Sequence, residues 1–318
     1  MTRPLLTIFT PAYNRAGLLP RLYRSLLRQT SGDFTWLVID DGSTDNTREL
    51  VRGWIAEGRI PIRYRYKENG GMHTAHNAAY ELIDTELNAC VDSDDWITDD
   101  AVGKIVNLWR RDGSDRYAGI IALDATEQGG VIGSELPRDR KDIRYGEFYG
   151  TGGTGDKKLI YRTEVMRRYP PYPVFPGEKY FSLGYKSLLA GQDYSMLILN
   201  EIICIVEYQP TGSSLNMISQ YRSNPRGFAF IRKVDMALGH TLRLRFRAAI
   251  HYVAKSIMLR NSHFLRESPR RLLTLAAIPA GILLYCYLMT TKRNSTFIPP
   301  AIPPRQGANE LPPAGKDL

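Results

Sequence analysis

The sequence predicts an α/β fold in which a mostly parallel central sheet is flanked by helices. Two observations support this prediction: short β-rich runs alternate with helical patterns over the first hundred residues, and three of those runs end in polar turns. The chain has 318 residues, of which 43% are hydrophobic and 24% are charged. This composition excludes wholesale disorder, and the length accommodates one sizeable domain with an appendage.

Strands and helices are predicted in alternation along the first third of the chain. The predicted strands are residues 5–10, 36–39, 62–66 and 88–91. The first predicted helix is 18–27, and the second follows an N-cap at Ser43 or Thr44. Two more are predicted at 72–83 and at about 99–109. Residues 112–176 are irregular and rich in glycine and charge, apart from a strand at 159–162. Beyond them we expect a strand at 204–209 and one long basic helix at 228–260.

Composition divides the chain into three segments. We expect an α/β domain over residues 1–225, a basic helical and apolar segment over 226–295, and a proline-rich disordered tail over 296–318. Residues 222–271 contain 12 Lys and Arg against 2 Asp and Glu, a net charge of +10 within a chain of net charge +9. The remainder is therefore close to neutral, and the basic segment fits an anionic membrane face or nucleic acid.

Residues 272–291 carry no charge and follow directly on the basic stretch. Twenty uncharged residues can just cross a bilayer as a helix, although Pro279 and Gly281 weaken that interpretation. A full span, an interfacial or re-entrant anchor and a helix buried in the protein all remain open. The first residues show no secretory signal, and the three cysteines lie far apart in apolar runs. We therefore expect a cytoplasmic protein, peripheral to or anchored at the inner face of the membrane.

The acidic cluster Asp92-Ser93-Asp94-Asp95 follows the predicted fourth strand. Carboxylates one residue apart at a strand end can both face a divalent cation, and Mg²⁺ or Mn²⁺ prefers a few carboxylates together with substrate phosphate oxygens. Such a metal neutralises a diphosphate leaving group. A solvated acidic turn is the alternative, but the apolar strand before the cluster and a second acidic strand end favour the metal site.

That second acidic strand end is Asp40-Asp41-Gly42-Ser43. Acidic side chains at this position can accept hydrogen bonds from a nucleoside base or a ribose hydroxyl. The same residues are also a favourable β-turn and N-cap sequence, and the two interpretations are equally open. Ligands bind at the carboxyl ends of strands in open parallel sheets, so we expect both clusters to meet at one site.

Together these motifs resemble family 2 glycosyltransferases of the GT-A, Rossmann-like fold. The resemblance rests on residues 10–15 (TPAYNR), 40–45 (DDGSTD), 69–71 (NGG) with Ala75 and Asn77, and 92–95 (DSDD), in that order. It implies inverting transfer of a sugar from a nucleotide diphosphate donor, often UDP-linked, to an acceptor hydroxyl, with Mn²⁺ or Mg²⁺ as cofactor. It also implies a saccharide or lipid-linked acceptor, as in cell-surface polysaccharide or glycolipid synthesis.

The resemblance also assigns site residues. Asp92 is expected near the ribose and also as a metal ligand, Asp94 as the ligand of the metal that bridges the diphosphate, and Asp95 as a substitute or supporting residue. The residues expected to bind the nucleotide-sugar are Pro11, Tyr13, Asn14, Asp40, Asp41, Asn69, Gly70, Asn77, Asp92 and Ser93.

The general base is the least defined part of this site. Inversion needs a carboxylate that takes the proton of the acceptor hydroxyl. Glu178 and Asp193 are the candidates, and Glu178 is preferred because it leaves room for a helix before the next strand. Leu183 or Gly184 stands nearest the family's usual base position, and neither can act. Both candidates are also compatible with simple surface carboxylates.

Other features have simpler explanations. Residues 150–155 match G-x-G-x-x-G but lead into a strand, so an acceptor-side loop is expected instead of a dinucleotide site. His73 and His76 lack a third metal ligand, and packing or a donor-site hydrogen bond is expected. Residues 210–216 fit a lid or a connecting loop equally.

A nucleotidyltransferase and a non-catalytic nucleotide- or nucleic-acid-binding protein are the alternative functions, and no RNA-binding motif supports nucleic acid as a partner.

Overall fold

The computed structural model describes residues 3–209 and 216–291. The predictions for most of the 210–216 lid and for the 296–318 tail therefore lie outside the described residues. Nine strands form one sheet: β1 (Leu6–Ala12), β2 (Phe34–Asp40), β3 (Ile62–Tyr66), β4 (Leu87–Cys90), β5 (Trp96–Ile97), β6 (Tyr117–Ala125), β7 (Asp142–Ile143), β8 (Lys157–Arg162) and β9 (Ser195–Ile205).

Helices cover the sheet and extend beyond it at the C-terminal end. In the first part of the chain they are α1 (Leu19–Leu27), α2 (Thr47–Glu57), α3 (Met72–Leu82), α4 (Ala101–Asp112), α5 (Tyr145–Gly150), α6 (Thr163–Arg168) and α7 (Gly184–Asp193). The later helices are α8 (Met217–Ser223), α9 (Pro225–Leu238), α10 (Leu242–Met258), α11 (Phe264–Glu267), α12 (Arg271–Ala276) and α13 (Ile278–Thr290).

The strand order is β3-β2-β1-β4-β8-β6-β9-β5, with β7 paired to β9. The first four strands of this order run parallel, β8 runs antiparallel to both of its neighbours, and β9 is parallel to β6. The predicted α/β fold with its central sheet and flanking helices is confirmed. Because β1, β2 and β4 are parallel, the polar turns that follow them lie at one edge of the sheet.

Two apolar clusters fill the two faces of the sheet. On one face Trp36 is fully buried and stacks with Tyr23 and Trp54, which joins β2 to α1 and α2. On the other face Phe9 packs with Ala75 and Ala79 of α3. The alternation along β1 sends Ile8 and Phe9 to opposite clusters. The sheet is therefore rigidly covered on both sides, which fixes the loops at its edge.

The structure corrects several expected elements. β6 lies in the stretch expected to be irregular, and all nine of its residues are buried. A strand buried on both faces shows no apolar–polar alternation, so the sequence pattern does not mark it as a strand. β9 begins at Ser195, well before the predicted strand at 204–209, and ends at Ile205, so the two overlap only at 204–205. The predicted long basic helix is two helices. The first, α9, ends at Leu238, and Thr241 caps α10 by accepting a hydrogen bond from the Leu244 N–H.

The uncharged segment is also divided in two. Its residues form α12 and α13, which meet at Ala277 and pack on α10. Gly281 of α13 lies close against α10, since a Cβ added there would lie 2.5 Å from the Val253 Cβ. In the described ranges, no helix combines the length and the apolar character needed to cross a membrane.

Candidate functional site

A cleft of about 630 Å³ opens at the carboxyl ends of β1, β2 and β4. Its walls come from the turn after β1, Asp41 after β2, the acidic turn after β4, the start of β8, the start of α7 and the segment after β9. The sheet thus brings together residues that are widely separated in sequence. Of the residues predicted to bind substrate or metal, those at the cleft are Pro11, Tyr13, Asn14, Asp41, Asp92, Ser93 and Asp94.

Asn14 joins the turns that follow β1 and β2. Its backbone adopts the left-handed region with a φ of 53°. Its side-chain oxygen accepts hydrogen bonds from the backbone N–H groups of Thr44, at 2.8 Å, and Asp45, at 3.3 Å. Its own N–H donates to the Ser43 hydroxyl at 2.9 Å. These bonds hold the β1 turn in place, so the half-exposed ring of Tyr13 stands at the rim of the cleft.

The Asp41 carboxylate organises the turn before α3. Its Oδ1 accepts from Lys67 Nζ at 2.5 Å and from the Gly70 N–H at 3.0 Å. Its Oδ2 accepts from the Gly71 N–H at 2.7 Å and from Asn69 Nδ2 at 3.3 Å. Gly71 has a φ of 92°, a conformation that favours glycine. Asn69 and Gly70 therefore shape the wall through Asp41 and do not themselves line the cleft.

Asp40 and Asn77, predicted to bind the nucleotide-sugar, have other partners. Asp40 is buried, and its two oxygens accept from the Ser43 N–H, at 2.7 Å, and the Tyr64 hydroxyl, at 2.5 Å. The Asn77 amide pairs with both backbone groups of Tyr172, at 2.8 and 2.9 Å. Neither side chain lines the cleft. Asp40 stabilises the β2 turn, and Asn77 fixes the Tyr172 segment against α3.

The acidic turn after β4 supplies two carboxylates to the cleft. Asp92 and Asp94 are both half-buried, and Asp94 is held through its carbonyl by Arg21 Nη2 at 2.8 Å. Burial, and then the neighbouring Asp92, raise the pKa of Asp94 above its ordinary value. In the described part of the chain, no group of three or more Asp, Glu, His or Cys side chains forms a complete metal site. Two partly desolvated, mutually repelling carboxylates fit a cation that shares its coordination with a phosphate ligand.

Behind this turn lies a buried ionic cluster that the sequence reasoning missed. Lys158 Nζ lies 3.8 Å from Asp95 and 3.9 Å from Asp124. Burial raises the pKa of Asp95 to about 8 and that of Asp124 to about 6, despite the lysine. Burial alone would lower the pKa of Lys158, but Asp124 and the other carboxylates raise it well above its usual range. The available signal was the single aspartate in the apolar β6 and the lysine pair that opens β8.

Both predicted bases lie outside the cleft. The Glu178 carboxylate accepts from the backbone N–H groups of Arg226 and Gly227, both at 2.8 Å, at the start of α9. A carboxylate at a helix N-terminus satisfies otherwise unpaired donors and interacts favourably with the helix dipole. Asp193 ends α7 and accepts from the Tyr169 hydroxyl at 2.5 Å. Leu183 and Gly184, by contrast, do line the cleft.

The remaining motifs have structural partners. His76 is buried between Phe9, Tyr80 and Tyr172, and burial lowers its pKa to about 3. This supports the packing interpretation. The glycine-rich stretch at 150–155 leads into β8 and opens no helix. The exclusion of a dinucleotide site is therefore supported by its structural context.

Fold and site together define a GT-A type α/β domain with an acidic cleft at the carboxyl ends of its parallel strands. Residues 7–169, just over half of the chain, match the family model described as glycosyl transferase family 2. The chain belongs to this family and is a glycosyltransferase. The alternatives of a nucleotidyltransferase and of a non-catalytic binding protein are therefore wrong.

Similar proteins support this assignment. Validoxylamine A glucosyltransferase of Streptomyces hygroscopicus subsp. jinggangensis is 43% identical over 94 residues, which are 28% of this chain and 22% of that protein. The putative teichuronic acid biosynthesis glycosyltransferase TuaG of Bacillus subtilis is 30% identical over 128 residues, 39% of this chain and 50% of that protein. The chain therefore aligns with only 22% and 50% of the length of these two relatives.

Two solved structures show the same fold. TarS 1-349 from S. aureus, in complex with UDP-GlcNAc, has a TM-score of 0.55 at 17% identity, over 89% of this chain and 81% of that chain. The mannosyltransferase PcManGT from Pyrobaculum calidifontis, in complex with GDP-Man and Mn²⁺, has a TM-score of 0.53 at 16% identity, over 92% and 77% of the two chains. At these identities the likeness concerns the fold alone.

Proposed function

We propose that this glycosyltransferase moves a sugar, with inversion, from a nucleotide diphosphate donor of the UDP type to a hydroxyl of a saccharide or lipid-linked acceptor in polysaccharide or glycolipid synthesis. The observation that carries the proposal is the pair Asp92 and Asp94, half-buried side by side in the cleft. The solved neighbours whose titles name UDP-GlcNAc or GDP-Man support a nucleotide-sugar donor. The relative named for teichuronic acid biosynthesis supports a polysaccharide product.

Different walls of the cleft would contact different parts of the donor. The Tyr13 ring, 48% exposed at the rim, can stack on the nucleoside base, and Pro11 and Asp41 complete the wall beside it. Asp92 and Asp94 would hold Mn²⁺ or Mg²⁺ together with the diphosphate. When bound, such a cation stabilises the negative charge of the departing nucleoside diphosphate. Arg21 keeps Asp94 in position through the backbone of the acidic turn.

The test is nucleoside diphosphate release from a panel of UDP- and GDP-sugars, with Mn²⁺, with Mg²⁺ and with EDTA. We expect turnover of at least one donor that EDTA abolishes. Asp94→Asn should lower turnover about 100-fold or more because it removes a charged ligand. Asp99→Asn is the matched control, since Asp99 is a surface carboxylate paired with Arg28. Wild-type protein that consumes none of the donors, or an Asp94→Asn variant with full activity, would contradict the proposal.

We also propose that α12 and α13 attach the enzyme to an anionic membrane face. Their outward side carries large apolar side chains that are exposed, namely Leu272, Leu275, Ile282, Leu283, Tyr287 and Met289. Exposed arginines border this surface at 266, 270 and 271. Apolar insertion and attraction to anionic headgroups are the two contributions that firm interfacial binding needs. Part of the basic charge is internal, because Lys255 is buried against Tyr221.

Vesicle co-sedimentation tests this attachment. Wild-type protein should bind vesicles of phosphatidylcholine with phosphatidylglycerol much more than phosphatidylcholine alone, and duplex DNA should not compete. The double variant Leu272→Asp, Leu283→Asp should release the protein. Val174→Asp alters an equally exposed apolar residue elsewhere and should not. Equal binding by all variants, or preferential binding to the duplex, would contradict membrane attachment without affecting the transferase assay.

A further inference from the structure

Inversion by direct displacement needs a carboxylate inside the cleft to accept the proton of the acceptor hydroxyl. Glu178 and Asp193 lie outside the cleft, and the wall formed by Leu183 and Gly184 carries no basic group. Residues 210–215, which follow the cleft segment after β9, contain no acidic residue either. The base is therefore to be found among the carboxylates that line the cleft.

Two of those carboxylates are committed to contacts that hold the cleft walls. Asp41 accepts four hydrogen bonds, two on each oxygen, and holds the turn before α3. Glu207 uses one oxygen, Oε2, both for a salt bridge with Arg21 and to accept from Gln209 at 2.9 Å. The Arg21 guanidinium holds the pKa of Glu207 below its ordinary value, which makes this carboxylate a weaker base. A proton on either group would break contacts that position the walls of the cleft.

Four other carboxylates are either proposed metal ligands or too deeply buried to act as the base. Asp92 and Asp94 are the proposed metal ligands, and coordination withdraws the electron pairs that a base needs. Asp95 and Asp124 are each more than nine-tenths buried around Lys158, away from bulk solvent and any acceptor.

Asp156 differs from all of these. It is exposed, it lines the cleft, and it stands directly before β8. Its Oδ2 accepts from the Tyr208 hydroxyl at 3.1 Å, and within the described ranges no donor engages Oδ1. Lys157 Nζ fixes the backbone here by donating to the carbonyls of Ile132, at 2.8 Å, and of Thr154 and Asp156, both at 3.1 Å. Asp156 thus combines a rigid backbone with a free carboxylate oxygen.

A two-residue bridge links Asp156 to the acidic turn. The Glu207 N–H donates to Asp95 Oδ1 at 3.2 Å, and the next residue, Tyr208, donates to Asp156. Burial, and then the nearby Asp156, raise the pKa of Tyr208, so its hydroxyl remains a donor across the neutral range. The segment after β9 therefore sets the position of Asp156 relative to the proposed donor site.

We infer that Asp156 is the general base of the transfer reaction and that Tyr208 is its positioning residue; the inference rests on the proposed function. Asp156 takes the proton of the acceptor hydroxyl as the acceptor oxygen forms its bond to the anomeric carbon. The bond from that carbon to the nucleoside diphosphate breaks at the same time, and its electron pair leaves with the phosphate oxygen. The base thus stands before β8 instead of at the start of α7.

The test uses the full chain and the sugar nucleotide that wild type consumes fastest in the donor panel, with Mn²⁺. Asp156→Asn should lower kcat about 100-fold, while UDP affinity measured with Mn²⁺ by calorimetry stays within about twofold. Formate should restore part of the activity of Asp156→Ala, because it replaces the missing carboxylate. Tyr208→Phe should lower kcat while the KM for the donor stays within about twofold, because the Asp156 carboxylate loses its positioning hydrogen bond and the donor site keeps its contacts.

Asp193→Asn is the matched control, because its remaining oxygen still accepts from Tyr169. This variant should keep wild-type turnover. The inference is overturned if Asp156→Asn lowers kcat less than tenfold, or if a larger loss comes with weakened UDP binding and no formate rescue. Those outcomes leave the proposed function standing. If wild type consumes no donor, the proposed function fails, and this inference fails with it.

Discussion

Replacing Asp41 by Asn should unfold the protein at a distinctly lower temperature. An amide has one oxygen and one NH₂ group, so in either orientation the N–H of Gly70 or Gly71 would face another donor. An unsatisfied buried donor costs about 1–3 kcal/mol, and loss of the charge opposite Lys67 adds to this. We expect about 3 kcal/mol in total, which lowers Tm by about 4–5 °C for a chain of this size.

Asp40→Asn provides the matched comparison. The remaining oxygen keeps the hydrogen bond from the Ser43 N–H, and the new NH₂ group can donate to the Tyr64 hydroxyl, which also accepts. The loss should stay below about 1 kcal/mol. Thermal and urea unfolding at pH 7, followed by circular dichroism and tryptophan fluorescence, measures both variants. Equal destabilisation at the two positions would refute the assignment of Asp41 as the residue that holds the turn before α3.

Two further predictions concern stability. Gly281→Val should destabilise the protein by about 1–3 kcal/mol in urea unfolding, because the new side chain collides with Val253, whereas Gly53→Ala, with open space around it, should be neutral or slightly stabilising. Asp124→Asn should flatten the pH dependence of the free energy of unfolding. Burial raises the pKa of Asp124 in the folded protein to about 6, so the stability that its protonated form contributes is complete below about pH 4 and is lost as the pH rises through 6. The free energy of unfolding changes over this range by at most about 1.4 kcal/mol per pH unit. An equally steep decline in the variant would contradict this origin.

The local pattern predicted the half of the sheet that carries the proposed donor site. Strands and helices from β1 to α4 alternate with clear periodicity, and the turns after β1, β2 and β4 meet as the parallel arrangement requires. β6 escaped because Ile120 and Ile121 are both fully buried, so neither face is marked by polar residues. Apolar and polar residues alternate along a strand only where one of its faces is exposed, so a strand covered on both sides shows no such alternation.

The direction of a side chain depends on partners that sequence spacing does not reveal. Glu178 has the acidic character expected of a base, but its partners are N–H groups 48 and 49 residues later in the chain. Lys255 counted toward the surface charge, yet it is buried against the Tyr221 carbonyl and ring, and burial lowers its pKa to about 7. Long-range packing decides both cases, so neither could be predicted locally.

The strand order has a consequence for how this cleft can diversify. The chain builds outward from β1 to β3 and then returns to the other side of β1 to form β4. The connections leaving β1 and β4 therefore diverge, and the crevice between them is a product of the topology. Residues 11–15 and 92–95 both line this crevice. Substitutions in either turn can therefore change the shape and charge of the cleft while the buried sheet keeps its fold.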